Sequence, residues 1–148
     1  ACGRFVFSHV RVAHADRWEN GMSENPVELF DMHIAHVGIN AENPEKNFMP
    51  CPGMITDIHL PGGRGVRVDT AVYNNYRIPP NYDSMILKLI VHDKDRPSAI
   101  AKMRSALGEL VIEGITTNVD FQYELIGDRD FEDGNVDTDF IPSHFPDC

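Results

Sequence analysis

The chain has 148 residues, of which 42% are apolar, and a net charge of −10. That length suits one domain with its own core and is short for two, and no apolar stretch approaches the roughly 20 residues that span a bilayer. The acidity is uneven: from Glu113 onward 10 acidic residues face Arg129 alone, whereas before it 13 acidic and 12 basic residues nearly cancel. Such a tail repels phosphate backbones, so nucleic acid is not an expected partner, and it reads as a solvated terminal segment.

Residues 4–12 are rich in β-branched and aromatic side chains and read as a strand, followed by a polar stretch with Asn20-Gly21 and Asn25-Pro26 turns. A second strand is placed at 32–40, and 43–53, with three prolines and a glycine, is read as a loop. Residues 54–60 alternate apolar with polar. After the turn Pro61-Gly62-Gly63-Arg64-Gly65 the alternation resumes at 66–69, which predicts a hairpin. A further short strand is placed at 70–76. The run 85–91 reads as a central strand buried on both faces. Asp93, Asp95 and Pro97 start an amphipathic helix carrying Ile100, Met103, Leu107, Leu110 and Val111 inward and ending near Gly114. Asn118 is read as the cap of a second helix to about Ile126, with Val119, Tyr123 and Ile126 on one face. The acidic remainder is read as loop. Strands followed by helices give an α+β fold: a mainly antiparallel sheet with two C-terminal helices packed on one face.

The residues alone carry little chemistry. The glycine turn at 61–65 lacks phosphate-loop spacing and no helix follows it, so it is read as a turn with positive-φ glycines. Its neighbours Arg64 and Arg67 are then available for a carboxylate across an interface. His9, His14, His33 and His36 crowd the first quarter of the chain, but no acid or cysteine completes a metal-ligand spacing, and no metal site is assigned. His33 and His36, three apart, fall on opposite faces of a strand. Tyr82-Asp83-Ser84 lies between a rigid proline pair and the central strand; an Asx turn at Asp83 is the simple reading and a functional loop the other. Cys51 has no neighbouring base in sequence, and His59 and His92 read as surface or structural histidines. Cys2, Cys51 and Cys148 form neither a disulfide framework nor a metal knuckle, so a reducing, cytoplasmic setting is expected. The start at Ala1, with no signal-peptide core behind it, suggests a fragment or processed product.

Function enters through a resemblance carried by ordered blocks. They are Ile39-Asn40-Ala41-Glu42-Asn43-Pro44, the run from Phe48 to Thr56, and the run from Pro61 to Asp69. Then come the run from Pro79 to Ile90, Ala99-Ile100-Ala101-Lys102-Met103, and Glu113-Gly114-Ile115-Thr116-Thr117-Asn118. Together they closely resemble the C-terminal subdomain of biotin carboxylase, most of all that of a bacterial acetyl-CoA carboxylase; pyruvate and propionyl-CoA carboxylases share the blocks. The resemblance divides the chain into a divergent segment at 1–38, the subdomain at 39–141 and a tail at 142–148.

The resemblance implies an ATP-grasp ligase that makes carboxyphosphate from bicarbonate and MgATP. It then carboxylates the ureido nitrogen of biotin on the biotin carboxyl carrier protein. Biotin, ATP and magnesium belong to the intact family enzyme, and no cofactor is expected for this chain alone. By the same resemblance Tyr82 and Asp83 match a loop bordering the biotin pocket, and Arg64 and Arg67 match a hairpin at the family's dimer interface, so a homodimer is an expected partner state. No catalytic residue carries over. The family places an arginine immediately before the Ile39 block to stabilise the biotin enolate, and here that position is Gly38, which has no charge to offer. The family strand Asn-Thr-Arg-x-Gln-Val-Glu-His has a partial counterpart in residues 7–14, with Val12 and His14 retained; its bicarbonate-handling arginine and its glutamate are His9 and Ala13. A chimera, a frame-altered product or an imperfectly assigned N-terminal sequence would each explain the divergence. The leading expectation is a piece of biotin carboxylase inactive by itself. The alternatives are a non-enzymatic dimerisation or interaction module on the same scaffold, and a subunit active only with a separate ATP-grasp fragment.

Overall fold

The computed structural model describes residues 33–146, so the expectations for residues 1–32, including the first strand and His9 and His14, lie outside it, as do Cys2 and Cys148. In chain order the elements are β1 (His33–Asn40), β2 (Glu42–Asn43), a 3-10 turn (Pro44–Lys46), β3 (Met49–Pro50), β4 (Asp57–His59) and β5 (Val66–Thr70). They continue with β6 (Met85–Asp93), α1 (Arg96–Glu109), β7 (Val111–Glu113), α2 (Val119–Ile126), α3 (Arg129–Asp133) and α4 (Phe140–His144).

The apolar run of β6 takes the middle of a three-stranded antiparallel sheet in the order β1-β6-β5. Its period of two sorts the side chains: Leu87, Leu89 and Val91 are buried, while Lys88 and His92 are exposed. The Leu87 face is covered along its length; on the other face, among the described residues, Ile86 is buried and Ile90 half-buried, so the expected burial of both faces holds there only in part. The covering layer is α1, which buries Ala99, Ile100, Met103, Ala106 and Leu107 at helical spacing. Each large apolar side chain removed from water there contributes about 1.5–3 kcal/mol. Asp95 caps the helix as expected, its carboxylate accepting from Ser98 N at 2.8 Å with Pro97 in the first turn.

The helix ends at Glu109, earlier than its apolar spacing suggested. Leu110 is extended, and the β-branched pair Val111 and Ile112 forms β7 against β4, with Ile58 opposite Ile112. Gly114 (φ +94°) closes that strand and is not a helix cap.

The predicted hairpin does not form. β4 pairs with β7, and β5 pairs with β6 in the register Val66 to Val91 and Thr70 to Leu87. The other edge of β4 is filled by Asn74, whose carboxamide accepts from Ile58 N at 2.9 Å and donates to Asp57 Oδ1 at 3.0 Å. The turn through Gly63 (φ +119°) and Gly65 (φ +78°) thus carries the chain from one sheet to another. The strand placed at 70–76 is a turn after Thr70, with Tyr76 N donating to Tyr73 O at 2.9 Å. The loop placed at 43–53 contains the small β2–β3 hairpin, Asn43 opposite Met49.

In α2 the buried residues are Phe121, Gln122, Leu125 and Ile126, with Val119 partly buried; of the expected face Ile126 and Val119 pack inward, while Tyr123 is exposed and lies under Arg104, whose Cζ is 5.2 Å from the ring centroid. The C-terminal stretch is not loop. α3 and α4 are held by an aromatic cluster in which Phe145 meets Phe121 edge-on at 5.2 Å and Phe140 is fully enclosed. Acidic composition hid the aromatic spacing of Phe131, Phe140 and Phe145. No described helix is long and apolar enough to cross a membrane.

Candidate functional site

β1 and β6 run antiparallel with Gly38 opposite Lys88 and Ile39 opposite Leu87, and the register slips between Ile39 and Asn40 where β1 ends. The loop at 80–84 enters β6 at that same end. Tyr82 stands in the loop with 80% of its surface exposed. Asp83 turns its carboxylate onto the chain, Oδ1 accepting from Met85 N at 3.0 Å, the Asx turn that its position suggested. Asn40 pairs with Met85 and Ala41 N donates to Ser84 O at 2.8 Å, so the loop bearing Tyr82 and Asp83 meets the chain at the C-terminal end of β1.

Arg64 and Arg67 belong to the opposite end. Arg64 is exposed in the turn before β5, and Arg67 lies opposite Ile90. With about 3.3 Å per residue along β6, some 20 Å of strand separates the Arg64 turn from Met85. The structure thus does not bring the two residue pairs together. Arg67 forks onto Asp69, Nε to Oδ1 at 2.7 Å and Nη2 to Oδ2 at 3.0 Å. That hydrogen bond raises the Arg67 pKa and lowers that of Asp69. Both side chains are well exposed, so the pair orients Arg67 and adds little stability.

Gly38 is not a glycine by backbone necessity, since its φ is not among the positive ones. A Cβ built there meets Asn40 Oδ1 at 3.8 Å and Met85 Sδ at 3.9 Å, ordinary contacts. The position has room for a side chain and lacks one.

Among the described residues, His33, His36, His59 and His92 do not converge on one site. His33 and His36 lie opposite Asp93 and Ile90, on opposite faces of β1 as their spacing required. Burial, and then Lys88, lowers the pKa of His36; burial, and then Arg96, lowers that of His33. His59 and His92 are exposed. Cys51 is partly exposed, its Sγ 3.6 Å from Met49 O.

Sequence reading missed one grouping, Asp128, Asp130 and His144, whose possible ligand atoms lie within 4.8 Å of one another. Local bonding accounts for it. Asp128 Oδ1 caps α3 by accepting from Asp130 N and Phe131 N, and His144 bridges Asp130 Oδ2 (3.1 Å) and Phe140 O (3.0 Å). The carboxylate of Asp130 is the chief cause that raises His144 above 6.5, and His144 the chief cause that holds Asp130 below 3.8. The histidine contribution is complete below pH 6.5 and is lost as pH rises through the raised value; the aspartate contribution is present above 3.8 and is lost as pH falls through the lowered one. The clamp between α3 and α4 is strongest in between. Amide exchange in α4, corrected for intrinsic rates, is expected to be slower at about pH 6 than at about pH 9. Asp130→Asn should erase that difference, and a difference that survives it would remove the pair as the cause.

The family model for the biotin carboxylase C-terminal domain matches residues 36–143. Biotin carboxylase 1 of Bacillus subtilis is 47% identical over 130 residues, covering 88% of this chain and 29% of that protein. The biotin carboxylase of Allochromatium vinosum is 50% identical over 109 residues, 74% of this chain and 24% of its own length. The match to the Nostoc enzyme covers 92% of the chain and so reaches upstream of Ile39. Among solved structures, the biotin carboxylase domain dimer of Hydrogenobacter thermophilus 2-oxoglutarate carboxylase, in complex with MgADP, ADP and bicarbonate, superposes with a TM-score of 0.75 at 39% identity, covering 76% of this chain and 25% of that one. The biotin carboxylase subunit of a pyruvate carboxylase gives 0.76 at 34% identity, covering 78% of this chain and 26% of that one. The chain thus spans 24% to 30% of the length of these curated relatives. With the family model matching well over half of the chain and relatives near 50% identical over most of it, the chain belongs to the biotin carboxylase family, of which it carries the C-terminal domain.

Proposed function

We propose that this chain serves as the C-terminal lobe of a biotin carboxylase, with Tyr82 and Asp83 bordering the biotin and the face carrying Arg64 and Arg67 meeting a second copy. Within that proposal ATP, magnesium and bicarbonate are handled by the remainder of the ligase, and the carboxyl acceptor is biotin on its carrier protein. The observation that carries it is the end of β1, which an exposed tyrosine loop meets at Ala41 and which holds, at Gly38, space for a side chain and none present. Oxyanion-type stabilisation of the enolate needs a donor aimed at the developing charge, and Gly38 supplies none. The 148-residue chain is therefore proposed to be inactive alone. Homodimer formation draws support from the dimer named for the Hydrogenobacter relative.

The test is bicarbonate-dependent ATP hydrolysis by the purified chain with free biotin, together with calorimetry of MgATP. Neither turnover nor saturable nucleotide binding is expected. Turnover above the blank would overturn the assignment of catalysis to other parts of the ligase. Sedimentation of the same preparation should show a dimer that Arg67→Glu dissociates; an unchanged coefficient in that variant would remove β5 and the turn before it from the interface.

A further inference from the structure

Asn118 precedes α2, yet its side chain makes no cap hydrogen bond to that helix. Only 2% exposed, it faces β1 instead. Its Oδ1 accepts from Asn40 N at 2.8 Å, its Nδ2 donates to Gly38 O at 3.3 Å, and its own backbone N donates to Asn40 O at 3.2 Å. One residue thereby acts as an extra rung of sheet along the end of β1, with three hydrogen bonds to the backbone at 38–40.

The contacts continue from there. Asn40 Nδ2 donates to Glu42 Oε2 at 3.2 Å, and the other oxygen of that carboxylate accepts from Ser84 Oγ. Ala41 N donates to Ser84 O at 2.8 Å, and Asp83 Oδ1 holds Met85 N. Glu42 is half-buried, so its bonds to Asn40 and Ser84 are partly shielded from water. Pro79 and Pro80 stiffen the approach to the loop from the other side. A set of hydrogen bonds therefore runs from the start of α2, through Asn40 and Glu42, to Ser84 of the loop bearing Tyr82 and Asp83, with Gly38 O held as a branch of it.

We infer that Glu42 and Asn118 are positioning residues that lock the end of β1 and the Tyr82–Asp83 loop into a single frame, so that the two flanks of the proposed biotin site keep a fixed separation. The role for biotin rests on the function proposed above; the mechanical coupling stands on the hydrogen bonds.

The two are tested separately on the 148-residue chain by amide NMR. In Ser84→Ala and Glu42→Ala, exchange at Ala41 and Met85 is expected to accelerate about tenfold, the loss of one hydrogen bond's net free energy. Leu89 and Met103 should stay close to their original rates. Ser84→Thr, which keeps the hydroxyl, should restore protection. Unchanged exchange at Ala41, or equal acceleration at every amide, would overturn the coupling, the second because it marks general destabilisation.

Titration with free biotin is the other arm, followed at the Tyr82 and Asp83 amides. The resemblance implies no cofactor for the chain alone; if the loop nevertheless forms a flank of the biotin site, high biotin concentrations should give saturable shifts, weakened in Ser84→Ala and recovered in Ser84→Thr. Normal biotin shifts with unaltered exchange sink the coupling and spare the biotin-side reading. Accelerated exchange without any biotin shift in the unmutated chain sinks that reading and spares the coupling.

Discussion

Leu89→Ala is expected to destabilise the domain by about 3–4 kcal/mol and to lower its thermal midpoint by about 15 °C. Leu89 has no exposed surface and sits mid-strand in β6, between Val37 of β1 and Val68 of β5. Truncation there removes apolar area and leaves a cavity under α1 that flanking strands cannot close, because both are pinned by ladder hydrogen bonds. Lys88→Ala, one residue away on the open face, should stay within about 0.5 kcal/mol. Urea unfolding of the two variants measures the contrast. Similar costs for both would mean that the face assignment of the central strand is wrong.

The sequence displays those elements whose causes are local. Asp95 and Pro97 announce the start of α1 because capping and proline geometry act within one turn. The central place of β6 was legible in its apolar run, and the bend at Asp83 in its residue type. What stayed hidden depends on partners far along the chain. β4 and β5 are adjacent and alternate correctly for a hairpin, yet each finds its partner elsewhere: β4 in β7, more than fifty residues later, and β5 in β6. Asn118 was read as a cap because asparagine does cap helices, whereas its carboxamide serves β1. The pairing of Glu42 with Ser84 has no local signature at all, since any surface acid and serine look alike in sequence. For the candidate site, the missing charge at Gly38 was readable from family resemblance; that the backbone there would accept a side chain required coordinates.

The largest backbone effect belongs to Gly114→Ala, expected to cost about 3 kcal/mol. Gly114 adopts φ +94°, and a Cβ on it would press against the carbonyl oxygen of Met54 and stand 2.9 Å from Thr56 N. Both are backbone atoms and cannot rotate away. Thr56 N donates to Glu113 O at 2.9 Å beside the clash, so relief would pull β7 off β4. Gly134→Ala is the control: it shares the left-handed conformation, φ +82°, but has nothing within 4 Å, so it should cost only the conformational term of about 1 kcal/mol. Chemical denaturation of the pair separates strain from contact. The consequence also reaches the candidate site, because Gly114 sets the path of the chain into Asn118. A shift there weakens the Asn118 bonds to Asn40, and Ala41 protection should fall along with β7 protection in Gly114→Ala but remain intact in Gly134→Ala. If both glycine variants lose the same stability, close backbone approach is not what Gly114 provides.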